Sequence, residues 1–184
     1  MAAAPIRRLS TFLLALLAAF SLVPVAGFTV AQPWHVSGTS MEPSLQDGSM
    51  LLVDAVGPLV AGYSRGDIVI VPVPEASEYP HPILVKRIVG VGGDRIQIED
   101  GVVRVNGRRA EEPYLAPGTF TPVDGRLDVT VPPGAVFVMG DRRENSYDSK
   151  AFGPVPAGSL VGRAWVTIEP DGQVELPGVV AGAP

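Results

Sequence analysis

The 184-residue chain has no cysteine, two histidines (His35 and His81) and two lysines (Lys86 and Lys150) against twelve arginines. Without cysteine there are no disulfides, no thiol nucleophile and no thiolate metal site. Two histidines are too few for a multi-histidine metal centre. Acidic residues outnumber basic ones for a formal net charge of −5, so the chain has no electrostatic footprint for nucleic acid. Charged residues make up only 18%, below the usual share of about a quarter, which implies that part of the chain is not in water. The 21 Gly and 19 Pro exclude a helical bundle, because both residues disfavour helix interiors. Abundant Val, Ile and Leu between them argue against disorder.

The missing charge is concentrated at one end. After Arg7 and Arg8 no charged side chain occurs until Glu42. Residues 11–31 form an apolar run that, as a helix of about 1.5 Å rise per residue, would cross a hydrocarbon core of about 30 Å. The two arginines before it predict a cytoplasmic segment over residues 1–10, with the body outside the plasma membrane. Trp34 follows at the level of an interfacial aromatic belt. A cleavable secretory signal ending at Thr29-Val30-Ala31 is the competing reading. Pro33 just beyond that cut and the length of the run favour an uncleaved signal-anchor.

From residue 50 onward, short β-branched runs alternate with turn residues. Strands are expected at 50–53, 67–73, 83–91, 95–99, 102–105, 127–131, 135–139 and 160–168. Asp100-Gly101 is a two-residue hairpin signal between the fourth and fifth of these. With no sustained helical period after residue 33, the expected fold is mainly β: an antiparallel sheet domain over residues 34–170, preceded by one transmembrane helix. Residues 95–134 read as a small hairpin-containing insertion, residues 111–126 as a surface excursion, and residues 171–184 as a tail.

Four segments stand out in order: Ser37-Gly38-Thr39-Ser40-Met41-Glu42-Pro43, Arg65-Gly66-Asp67, Lys86-Arg87-Ile88-Val89-Gly90-Val91-Gly92-Gly93-Asp94, and Gly140-Asp141-Arg142-Arg143-Glu144-Asn145-Ser146-Tyr147-Asp148-Ser149-Lys150. Together with the apolar run before them, they resemble the type I signal peptidases, membrane-bound serine proteases that remove signal peptides from exported proteins. The chemistry is intelligible from the residues. A serine hydroxyl needs a neighbouring base, and a lysine can supply it when burial disfavours its ammonium form. Lys86 sits in an apolar strand-like run, where alternation puts Leu84, Lys86 and Ile88 on one face. Taken alone, such a lysine is more often on a solvated face; the resemblance reverses that preference.

The resemblance implies Ser40 as nucleophile, Lys86 as general base and Ser146 as the hydroxyl that holds the lysine amine. It implies structural support from Asp148, Asp141 and Arg143. The Ser40 N–H is one expected oxyanion donor. A Ser that some members carry two positions earlier is Gly38 here, which leaves the second donor open. Arg142 stands where Asn is frequent, Lys150 where Arg is usual and Gly92 where Pro is common. The expected substrates are exported preproteins, whose extended cleavage segment would add to a sheet edge. Val36, Met41, Leu45, Leu84 and Val85 are candidates for small apolar pockets, or equally for core packing. Membrane lipids are an expected partner; neither metal nor organic cofactor is expected. Two other readings remain at this stage: a Ser-Lys maturation protease with one dedicated substrate, and an inactive membrane-tethered domain that binds extended peptides.

Overall fold

Turn chemistry dictates the most local part of the structure. The computed structural model describes residues 31–74 and 79–176. Strands β5 (Arg95–Glu99) and β6 (Val102–Val105) pair antiparallel with Glu99 opposite Val102. Asp100 and Gly101 between them have φ of 51° and 74°, as a type I′ turn demands. Asn106-Gly107 repeats the device, with φ of 54° and 79°, to lead into the two-residue β7 (Arg108–Arg109). On the other side β5 pairs with β8 (Leu127–Thr130), giving a four-stranded sheet in the order β7-β6-β5-β8. The insertion is therefore a small sheet rather than a lone hairpin.

The larger sheet carries the rest. Its strands are β1 (Ala31–His35), β2 (Met50–Asp54), β3 (Ile68–Pro72), β4 (Ile83–Val91), β9 (Ala135–Met139), β10 (Val155–Pro156), β11 (Gly162–Ile168) and β12 (Val174–Glu175). They are ordered β1-β2-β11-β3-β4-β9-β10, with β12 added to β11, and their pairings are antiparallel. The architecture is mainly β, as the sequence indicates. Among the described residues two short α-helices interrupt it, α1 (Gly57–Ala61) and α2 (Ser149–Phe152). Among the described residues no helix is long and apolar enough to cross a membrane. The expected span falls outside the described residues except for Ala31, which belongs to β1 and not to a helix.

Apolar alternation sorts the core into three clusters. Ile68 and Ile70 of β3 point to one side and join Val36, Met41, Leu45, Leu51 and Val53. Val69 and Val71 point to the other and join Ile88, Val136, Val138 and Val155. The third cluster, built around Ile96, Ile98, Val103 and Val131, ties the small sheet to Phe137 and Met139 of β9. Burying each such side chain contributes about 1.5–3 kcal/mol.

Candidate functional site

The register of β4 decides where its lysine points. Lys86 lies opposite Val69 of β3, so it shares the face of the Val69–Ile88 cluster, as expected from alternation. Its side chain is buried, with 1% exposure. The Ser40 turn reaches this lysine, and Lys86 Nζ donates to Ser40 Oγ at 2.6 Å. Burial lowers the Lys86 pKa to about 8. The negative charges of Asp148 and Asp141 act in the opposite direction, and Lys150 reinforces the lowering. The result is an amine that can be neutral near physiological pH.

Ser40 is held on both sides. Its carbonyl accepts the Arg142 N–H at 3.1 Å, while Glu42 N donates to Thr39 O and Leu45 N to Met41 O. Met41 and Leu45, each 1% exposed, anchor the turn in the first core cluster. Val36 belongs to the same cluster and half-buried Val85 packs against it, while Leu84 is buried on the lysine face. Gly38 N donates to Asp47 Oδ1 at 2.8 Å, so that donor is already committed. Among the described residues no carbonyl accepts the Ser40 N–H.

The last sequence segment wraps the same centre. A Cβ on Gly140 would lie 2.3 Å from Ser146 Oγ and 2.5 Å from Ser40 O, so only glycine permits this approach. Ser146 Oγ is buried yet hydrogen-bonds to none of the described residues. The implied bond to the lysine amine is thus not made here, although the hydroxyl lies against the turn that holds Ser40. Asp148 Oδ2 accepts the Gly140 N–H at 3.0 Å and Lys150 Nζ at 3.2 Å, while Oδ1 caps α2 through Lys150 N. Asp141 instead holds Arg87, accepting from Nε at 2.9 Å and Nη2 at 2.7 Å. Arg143, 1% exposed, donates from Nε to Gly140 O at 3.0 Å and from Nη2 to Glu112 at 2.5 Å.

Several members of this framework carry no signal of their own in the sequence. Glu112 lies in a segment that reads as a surface excursion, yet it pairs with buried Arg143. Tyr114 from the same segment stacks beneath the Arg87 guanidinium, 4.1 Å from the ring centre. Arg142, the departure from the family's Asn, pairs with Glu42 at 3.0 Å and so joins the two segments of the site. Glu169 accepts from Ser49 Oγ at 2.8 Å and Gln46 N at 3.3 Å, tethering the end of the serine loop to β11.

The chain is similar to known proteins over most of its length. A family model described as signal peptidase, peptidase S26, matches residues 8–168. A signal peptidase I of Bacillus caldolyticus is 37% identical over 139 residues, covering 70% of this chain and 74% of that protein. A signal peptidase IB of Staphylococcus aureus is 30% identical over 172 residues, covering 85% and 87%. A crystal structure of a signal peptidase I from Enterococcus faecalis V583 aligns with a TM-score of 0.45 and 26% identity, covering 55% of this chain and 95% of that one.

Proposed function

This chain belongs to the signal peptidase family, peptidase S26, and we propose that it is a membrane-anchored endopeptidase that removes signal peptides from exported preproteins through a Ser40–Lys86 dyad. Family membership makes it a peptide-bond hydrolase and supports signal-peptide removal by serine chemistry. The observation that carries the dyad is the 2.6 Å contact between Ser40 Oγ and the buried Lys86 amine.

In the productive state Lys86 is neutral and the bond reverses, with the Ser40 hydroxyl donating to Nζ. Lys86 takes the proton as Oγ attacks the scissile carbonyl. The Ser40 N–H is the donor available to the oxyanion; the committed Gly38 N–H is not. Protonated Lys86 then gives its proton to the departing amine, which frees the mature protein and leaves the signal peptide esterified to Ser40. Neutral Lys86 next deprotonates water, which attacks the ester, releases the signal-peptide carboxylate and restores the hydroxyl. Ser146 is assigned to holding the lysine once substrate is in place. Asp148, Asp141 and Arg143 are assigned to fixing the turn around Gly140.

The open edge of β4 supports binding of an extended substrate. Among the described strands β9 covers β4 only from Arg87 onward, so the 83–86 stretch has β3 as its single partner. A cleavage segment added there would make main-chain hydrogen bonds and turn alternate side chains toward the protein. Val36, Met41, Leu45, Leu84 and Val85 are assigned to the apolar pockets that such side chains would enter. Residues 11–31 would anchor the chain, with residues 1–10 cytoplasmic and the β domain on the extracytoplasmic side of the plasma membrane.

The test is cleavage of a preprotein by the full chain in detergent, compared with Ser40→Ala and Lys86→Ala. Both variants are expected to lose nearly all turnover while keeping the wild-type circular dichroism. Full activity in Lys86→Ala would remove the dyad; an inert wild type that still binds signal-peptide segments would make the protein a peptide-binding domain. Protease protection in intact cells reads the topology.

A further inference from the structure

Just beyond the dyad, β9 closes the edge of β4. Met139 pairs with Arg87, so a substrate whose residues before the cut lie along 83–85 has to leave that edge once past Lys86. The chain that follows β9 brings Ser146 to this point. Ser146 Oγ and Ser40 O both fall within 2.5 Å of where a Gly140 Cβ would sit.

Ser146 also lines a cavity of about 620 Å³ that leads away from the dyad. With Lys150 and Ala151 it forms the part contributed by the segment after β9, while Val123, Leu127 and Val129 come from the small sheet and its approach. The charges around it are paired. Lys150 Nζ donates to Arg143 O at 2.9 Å and to Asp148 Oδ2 at 3.2 Å. Asp128 Oδ2 accepts from Arg95 Nη2 at 2.7 Å and Arg126 Nη2 at 2.9 Å. Half-buried Leu127 and Val129 give the cavity an apolar side.

The small sheet offers main-chain groups at the same place. Among the described strands β8 has β5 as its one partner and ends the sheet. Val131 N donates to Asp94 O, and bonded and non-bonded pairs alternate along an antiparallel ladder. Val129 is therefore the next residue turned toward β5, while Asp128 and Thr130 present N–H and C=O to the free edge. Such an edge is a template for another extended chain.

Resting on the peptidase reading above, we propose that the β8 edge is a second strand-addition site, which takes the segment of the mature protein just after the cut. The substrate then follows two open edges, 83–86 of β4 before the scissile bond and 128–130 of β8 after it. Main-chain pairing accepts many sequences, as a site for diverse mature proteins requires. It still asks for an extended segment with N–H groups to donate, and Leu127 and Val129 favour uncharged side chains at the alternate positions facing them.

Two soluble peptides with the same residues before the cut test this with the full chain in detergent. One stops a single residue after the cut, and the other extends six residues beyond it. The longer peptide should show about tenfold higher kcat/KM, the worth of one or two added hydrogen bonds. Asp128→Pro removes an outward N–H and none from the β5 ladder. It should abolish the gain while leaving the rate on the short peptide unchanged. Asp128→Ala, which loses the carboxylate and keeps the N–H, should retain the gain. Equal wild-type rates on the two peptides, a gain that survives Asp128→Pro, or a gain lost equally in Asp128→Ala would overturn the proposal. A wild type that cleaves neither peptide overturns the peptidase reading and this proposal with it.

A second measurement does not depend on how well the proline variant folds. The chain has no cysteine of its own, so Ser40→Ala with Asp128→Cys is mixed with longer peptides carrying one cysteine at each position after the cut in turn. A disulfide that forms several-fold faster than with Glu99→Cys in place of Asp128→Cys is expected. A rate no greater than that control overturns the edge assignment, even where the proline variant has lost all activity.

Discussion

Lys86 and Ser40 lie 46 positions apart in sequence and meet at 2.6 Å, and the amine side of that contact is sealed from solvent. Burial lowers the lysine's pKa to about 8, toward the neutral form that the proposed base requires.

Activity should rise with pH through the Lys86 titration. With its pKa lowered to about 8 by burial, roughly a tenth of the lysine is neutral at pH 7, so kcat/KM there should be about tenfold below its alkaline plateau. A pH–rate profile on a soluble peptide substrate reads this limb. A flat profile between pH 6 and pH 9 would exclude a titrating lysine of this kind.

The same burial should cost stability. Between about 8 and the ordinary lysine value of 10.5, the unfolded chain holds a proton that the folded chain has released. Stability therefore rises with pH across that window, and the deficit is complete below it. Lys86→Met, which keeps the stem and removes the charge, should be more stable than wild type by up to about 3 kcal/mol at pH 6. The gain should shrink toward pH 10. Urea unfolding at the two pH values measures it.

Ser146→Ala separates packing from positioning. Because Ser146 Oγ is buried without a hydrogen bond, removing it should leave stability unchanged or raise it by about 1 kcal/mol. If the hydroxyl orients Lys86 during turnover, kcat should fall by about 10–100-fold with little change in KM. Threonine at this position, which retains a hydroxyl, should recover part of the loss. An Ala variant with wild-type kcat would leave Ser146 as packing alone.

Gly140→Ala should act on the nucleophile from behind. The added methyl would meet Ser40 O and Ser146 Oγ well inside van der Waals contact, so one of the two segments must move. A displacement of about 1 Å costs on the order of 100-fold in rate. Single-turnover cleavage should slow accordingly, while the small sheet, held by its own strand pairings, keeps its hydrogen-exchange protection.

Local chemistry made much of the fold legible. The strands β4, β5, β6 and β9 have the bounds that their apolar runs predict, and Asp100-Gly101 makes the hairpin it signals. The strand β1 was hidden because it contains Pro33, which a strand tolerates at a sheet edge, where β1 lies. The two-residue β7, β10 and β12 have no periodicity to read; their pairings come from the chains beside them. In the site, Lys86 was conspicuous as a cation in an apolar run. Glu112 and Tyr114 were not, because they reach Arg143 and Arg87 from a Pro- and Gly-rich segment. Nor could sequence alone show that Gly140 is a steric requirement, since that depends on two other segments converging.

Guanidinium–carboxylate pairs, two of them described above, fasten distant parts of the chain. Arg65 to Asp94, Arg143 to Glu112 and Arg87 to Asp141 close loops of 29, 31 and 54 positions, spans over which secreted domains often use disulfides. Fasteners of this kind form in either redox state and reconnect without an oxidoreductase. Folding of the domain thus calls on no thiol chemistry from its surroundings. At Asp94 burial pushes the carboxyl up, but hydrogen bonds from Arg65, Val91 N and Asn106 outweigh it and lower it to about 2, so that only strong acid releases the Arg65 loop.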